Sequence, residues 1–94
     1  MVNIRKVITA EDLGLEPSRD ALWVYRNSLI KALNEAGLTD QNYNFIVSGA
    51  PEGKMVVRLE GAESKVLKVL EVWHYHDDSP ESFNEDDARE VWGF

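Results

Sequence analysis

The spacing of hydrophobic positions changes several times along the chain, and each change marks an element. Over Val2–Ile8, Val2, Ile4 and Lys6 share one side of an extended chain and Val7 and Ile8 close it, which predicts a first strand. Thr9 followed by Asp12 has the spacing of an N-cap, and Gly14 stops the segment after one short turn. From Pro17 to Ala36 the period becomes helical. At about 100° per residue, Ala21, Leu22, Tyr25, Leu29, Ala32, Leu33 and Ala36 fall on one face. Pro17 suits a first turn and Gly37 a C-terminal stop. Trp23 and Ile30 lie together on a different side of this helix, flanked by Arg26, Asn27 and Asn34. Asn42–Gly49 and Lys54–Glu60 then alternate, with Tyr43, Phe45 and Val47 on one face of the first run and Met55, Val57 and Leu59 on one face of the second. Between them, Ala50-Pro51-Glu52-Gly53 carries proline and glycine where a type I turn takes them, so the two runs predict an antiparallel hairpin ended by Gly61.

From Ala62 to about Trp73, two apolar residues are followed by one charged residue, repeatedly. A helix gathers Lys65, Lys68 and Glu71 on one narrow side, whereas a strand scatters them over both faces, so this segment reads as a helix. Ser79 with Pro80 predicts the start of a last helix or turn running to about Val91. The order is β-α-β-β-α with an acidic C-terminal segment: one small α+β domain over residues 1–94, with an antiparallel hairpin and helices on one face. A fourth strand at Glu90–Phe94 makes this a ferredoxin-like split β-α-β; helical residues there leave a three-stranded sheet.

Charge changes the picture most. The net charge is −7, and residues 75–94 hold seven acids (Asp77, Asp78, Glu81, Glu85, Asp86, Asp87 and Glu90) against one base, Arg89. Tyr75, Phe83, Trp92 and Phe94 are interleaved with them. The other bases, including Arg5, Lys54 and Arg58, are scattered among acids and read as ordinary solvated positions. This balance argues against direct nucleic-acid binding and against anionic membrane surfaces, and favours a cationic partner surface. With no cysteine, thiolate metal sites, disulfides and a cysteine nucleophile are excluded. The absence of cysteine, of a long apolar run near Met1 and of any membrane-length apolar stretch sets the expectation of a cytoplasmic protein.

Catalytic motifs are scarce. His74-x-His76-x-Asp78 resembles part of the His-x-His-x-Asp-His motif of the metallo-β-lactamase superfamily. In an extended segment, both histidines point to one side, as two ligands should. Ser79 replaces the final histidine, no third histidine exists, and the chain is too short for that fold. Asn84-Glu85-Asp86-Asp87 lacks the spacing and central glycine of a calcium loop. No metal, cofactor or catalytic residue is therefore expected, and the chain reads as non-enzymatic.

The acidic run ending in Phe94 resembles the tails of single-stranded-DNA-binding proteins, in which a terminal carboxylate and ring are captured together. In size and charge the chain is also similar to DNA-mimic, anti-restriction and anti-CRISPR inhibitors. That similarity implies a protein-binding module whose carboxylates at Asp77, Asp78, Glu81, Glu85, Asp86, Asp87 and Glu90 occupy phosphate sites on a basic, nucleic-acid-handling partner, with Trp92 and Phe94 packing at the edge. Trp23 and Ile30 are the candidates for a second contact. Either a layer within the domain covers them or a partner does, and the latter makes the chain a regulatory or assembly subunit acting through a homodimer or hetero-oligomer. A metal-dependent or acid–base enzyme is the remote alternative.

Overall fold

The computed structural model describes residues 1–49 and 53–94. The expected turn at Ala50-Pro51-Glu52-Gly53 falls on residues 50–52 and lies outside the described residues. The elements run β1 (Val2–Thr9), a 3-10 turn (Glu11–Leu13), α1 (Arg19–Glu35), β2 (Tyr43–Ser48), β3 (Lys54–Gly61), α2 (Glu63–His76) and α3 (Glu85–Trp92). The three strands form one antiparallel sheet in the order β1-β3-β2. Both outer strands run against β3, so β1-α1-β2 is a split β-α-β unit with β3 inserted between its strands.

Local chemistry sets most boundaries. Thr9 and Asp12 exchange reciprocal bonds, Thr9 N–H to Asp12 Oδ2 (3.0 Å) and Asp12 N–H to Thr9 Oγ1 (3.2 Å), before the 3-10 turn. α1 begins at Ser18 rather than Pro17, because the Ser18 hydroxyl accepts from Ala21 N–H at 3.1 Å and serves as the N-cap. Gly53 must be glycine on two counts. Its φ is +77°, and an added Cβ would stand 3.0 Å from Arg19 Cα and 3.1 Å from Leu22 Cδ1, where the hairpin meets the first turn of α1.

The core lies between the sheet and the helices. Leu22, Leu29 and Leu33 of α1, Val66, Val69 and Trp73 of α2, and Phe45, Met55, Val57 and Leu59 of the sheet are all buried. The alternation expected for both hairpin strands holds residue by residue: Tyr43, Phe45, Val47, Met55, Val57 and Leu59 face inward. In β1, Val7 points out and is 54% exposed, while Lys6 belongs to the inner register and lays its ammonium over the Trp92 ring at 4.8 Å.

Three expectations are corrected and one open choice is resolved. α2 runs one turn past Trp73, to His76, because its last residues bind α1. His74 and His76 are thus helical, pointing roughly 200° apart, and do not form the same-side pair of an extended segment. The last helix starts at Asn84, not at Ser79-Pro80: the Asn84 side chain accepts from Asp86 N–H (2.9 Å) and Asp87 N–H (3.2 Å). No fourth strand exists among the described residues. Glu90–Phe94 ends α3 instead, with Gly93 left-handed and the N–H groups of Gly93 and Phe94 both on the Arg89 carbonyl.

The helical phase of α1 is directly testable. Leu29→Ala empties a fully buried site between sheet and helices and should cost about 2–5 kcal/mol in a denaturant melt. Asn27→Ala, on the exposed side, should stay within about 0.5 kcal/mol.

Candidate functional site

The seven C-terminal acids divide into three groups. Asp77, the C-cap of α2, is engaged internally: its Oδ1 accepts from Tyr25 OH at 2.6 Å and lies 3.0 Å from His76 Nδ1. Glu85 and Asp86 attend Arg89, at 3.8 Å and 3.4 Å. The closest partner of Arg89 is Glu63 on α2, 2.7 Å from its Nε, and this bond leads the causes that raise the guanidinium pKa further. Asp78, Glu81, Asp87 and Glu90 are exposed and make no ion pair among the described residues.

Around α3, Asp86, Asp87, Glu90 and Val91 share the outward side, while Ala88 and Trp92 turn toward the core. The positive end of the helix dipole favours acids at 85–87. It does not favour Glu90, one turn from the C-terminus and i+4 and i+3 from Asp86 and Asp87, where like charges destabilise a helix. Asp78 adds a second unfavourable placement. Its φ is +54°, in the left-handed region where glycine or asparagine usually ends a helix.

The aromatic residues of this end are mostly internal. Trp92 and Phe94 pack on the core with Phe83, and the Trp92 and Trp73 rings are 5.6 Å apart. The apolar groups exposed beside the acids are Val91 and Tyr75, at 63% and 52%. The Trp23–Ile30 pair is divided by its surroundings. Ile30 is half-buried against the core beside Tyr43 and Phe45, whereas Trp23 is 38% exposed under the Arg26 guanidinium, 5.0 Å from its ring.

A hydrogen-bonded chain that the sequence did not reveal joins α1 to the end of α2. Ser28 Oγ lies 2.9 Å from His76 Nε2, and His76 Nδ1 lies 3.0 Å from Asp77 Oδ1. A carboxylate only accepts, so His76 Nδ1–H donates to Asp77, and in the neutral ring Nε2 then accepts from the Ser28 hydroxyl. This is the order of a serine–histidine–aspartate relay. The setting does not suit acyl transfer. Ser28 sits in the middle of α1, where neighbouring N–H groups are spent on the helix, so no oxyanion hole forms there. Neither groove flanking the α2–α3 corner includes Ser28. The chain acts as a latch. On its other side Asp77 accepts a hydrogen bond from Tyr25 OH, which in turn accepts from the buried Trp73 indole N–H at 2.6 Å. No signal in the sequence marks Ser28, because its partner His76 lies 48 residues away.

His74 fixes the loop before α3. A carbonyl only accepts, so His74 Nε2–H donates to the Glu81 carbonyl at 2.6 Å. Its ring packs against Tyr75 and Phe83. Among the described residues, no group of three or more His, Asp and Glu side chains is placed to hold a metal. No helix among them is long and apolar enough to cross a membrane.

Burial, followed by the hydrogen bond to Asp77, raises the Tyr25 hydroxyl well above the ordinary tyrosine range. Burial also raises Tyr43. A raised acid pKa means that the folded state holds its proton more tightly than the unfolded chain. The stabilisation is therefore complete below about pH 10 and is lost as pH rises beyond it. Tyr25→Phe should cost about 1–3 kcal/mol at neutral pH, because the buried Trp73 N–H loses its acceptor. The same variant should flatten the fall of the unfolding midpoint above about pH 10, read by denaturant melts across the alkaline range.

The chain matches no known protein family, and no curated protein or solved structure matches it.

Proposed function

We propose that this chain is a protein-binding module that offers the outer side of α3 and the loop before it to a basic surface on a partner protein, one that otherwise takes nucleic acid. The observation that carries this reading is the outward stripe of Asp86, Asp87 and Glu90, with Glu81 lining the same groove as Asp87 and Val91, and with Asp78 and Glu81 making no ion pair among the described residues. Glu90 stands against the helix dipole and one turn from Asp86 and Asp87, and Asp78 takes a left-handed backbone; the repulsion at Glu90 is a cost that a cationic partner removes. Carboxylates spaced along a helix substitute for phosphates against lysine and arginine. Val91 and Tyr75 supply the exposed apolar contact, and Trp92 and Phe94 act from behind by holding α3 on the core. The binding role needs no catalysis, and its natural setting is the cytoplasm, where such partners work.

Rigid mounting supports the reading. The Asn84 cap, the Glu63–Arg89 pair and the Trp73–Trp92 contact fix α3 before any partner arrives, so little order has to be created on binding. Trp23 remains a candidate second contact for oligomeric assembly, since its ring keeps an exposed edge.

The test uses capture followed by competition. The immobilised chain should retain a basic nucleic-acid-binding protein at low salt and release it at high salt or when duplex DNA is added. With that protein in hand, neutralising Asp86, Asp87 and Glu90 to Asn, Asn and Gln should weaken binding by about tenfold or more, chiefly through slower association. The same number of Glu→Gln changes at exposed Glu11, Glu16 and Glu35 should change it much less. Glu63 is unsuitable as a control because it holds Arg89. Equal affinity for both sets would sink the proposal.

A further inference from the structure

The side of the sheet turned away from the helices carries a pattern that the acidic end does not explain. Register places Val7, Val56 and Ile46 in one row across β1, β3 and β2. Val7 and Ile46 are 54% and 52% exposed. The next row on one side is Arg5, Arg58 and Asn44, and on the other Thr9, Lys54 and Ser48. Alternation confirms their direction, since Met55, Val57 and Leu59 between them are buried inward. The face therefore presents an apolar bar between two polar rows that carry three bases. Among the described residues its one acid is Glu60, which pairs with Arg58 at 3.4 Å. Arg5 and Arg58 are direct cross-strand neighbours, an arrangement that destabilises a sheet unless an anion lies over it.

We infer that this face is a docking surface for the acidic helix α3 of a second copy of the chain. The complementarity is twofold. The outer side of α3 surrounds exposed Val91 with Asp86, Asp87 and Glu90; the sheet surrounds Val7, Val56 and Ile46 with Arg5, Arg58 and Lys54. The spacings agree, with Arg5 and Val7 about 7 Å apart along a strand. Asp87 and Val91 are about 6 Å apart along a helix. A chain cannot satisfy its own face. α3 lies on the helix side of the sheet, where Trp92 meets the inward Lys6. Face-to-face pairing of two sheets is disfavoured, because it brings Arg5, Arg58 and Lys54 of both copies together.

The contact joins unlike surfaces on opposite sides of the molecule. It therefore adds copies head to tail and does not close as a two-fold dimer. It also hides the helix offered to the partner protein, so that self-association and partner binding compete. The inference does not depend on the partner existing.

Sedimentation velocity and equilibrium test it directly. At low salt the weight-average mass should rise with concentration past that of a dimer, and high salt should reverse the rise. R5E/R58E and D87N/E90Q should each remain monomeric, with self-association weakened at least tenfold and thermal melts unchanged. Mixed together they should form a one-to-one complex and stop there. One variant keeps its helix and the other its sheet, so a single intact contact remains. The inference is overturned by a wild-type chain that stays monomeric throughout, by a closed dimer indifferent to R5E/R58E, or by a mixture that does not pair. It is equally overturned if the chain stays monomeric and a single-stranded oligonucleotide binds in a manner lost in R5E/R58E. Failure here leaves the partner assay untouched, since R5E/R58E keeps α3 intact.

Discussion

The placement of every layer converges on Trp73. Its ring meets Phe45 of β2 edge-on at 5.4 Å and Trp92 of α3 at 5.6 Å, while its N–H bonds Tyr25 of α1. A large aromatic side chain dominates the energetics of a small core, but a buried indole nitrogen also demands a partner. That demand positions Tyr25, which donates to Asp77, which in turn orients His76 toward Ser28. The packing requirement of one side chain thereby extends α2 beyond its apolar stripe and ties it to α1. Without this junction α3, only eight residues long, would have little to rest on.

The acidic end is best understood as two kinds of carboxylate. Some are structural: Asp77 closes the Trp73–Tyr25 chain, and Glu63, outside the acidic segment, anchors Arg89. Others, Asp78, Glu81, Asp87 and Glu90, are exposed and make no ion pair among the described residues, while Glu85 and Asp86 attend Arg89. The distinction matters because a cluster that merely solubilises a surface need not be mounted on a capped, core-packed helix, nor place Glu90 against the helix dipole. The cation of Arg89 holds α3 to α2 and leaves the outer stripe anionic.

The molecule is consequently polarised in a way that net charge conceals. A chain at −7 still carries a sheet face with more bases than acids, because strand alternation sends Arg5, Lys54 and Arg58 to one side. At physiological ionic strength, charges separated by more than about 8 Å are largely screened, so local patches and not the total decide what approaches each side. The anionic side of α3 and the basic face of the sheet are separate surfaces of opposite sign, one on the helix side of the sheet and the other on the side turned away from the helices.

Much of the fold was legible in the sequence. The stripe of Leu22, Leu29 and Leu33 and the alternation of Tyr43, Phe45, Val47, Met55, Val57 and Leu59 follow from local periodicity, which burial on one side imposes directly on the residues. The clustering of acids after Tyr75 was equally visible, since composition needs no structure. Other features depend on which strand lies beside which, and on what a helix end meets. The pairing β1-β3-β2 gathered scattered bases into one face; the neighbourhood of β2 covered Ile30 and left Trp23 with an open edge. The α1–α2 packing turned His76 and Asp77 from surface residues into a latch with Ser28. The choice between strand and helix at Glu90–Phe94 was made by Asn84 capping α3 and by Trp92 finding Trp73. Periodicity is a property of neighbouring residues and is written in the chain; side-chain partnership across fifty residues is a property of packing, and only the tertiary structure could decide it.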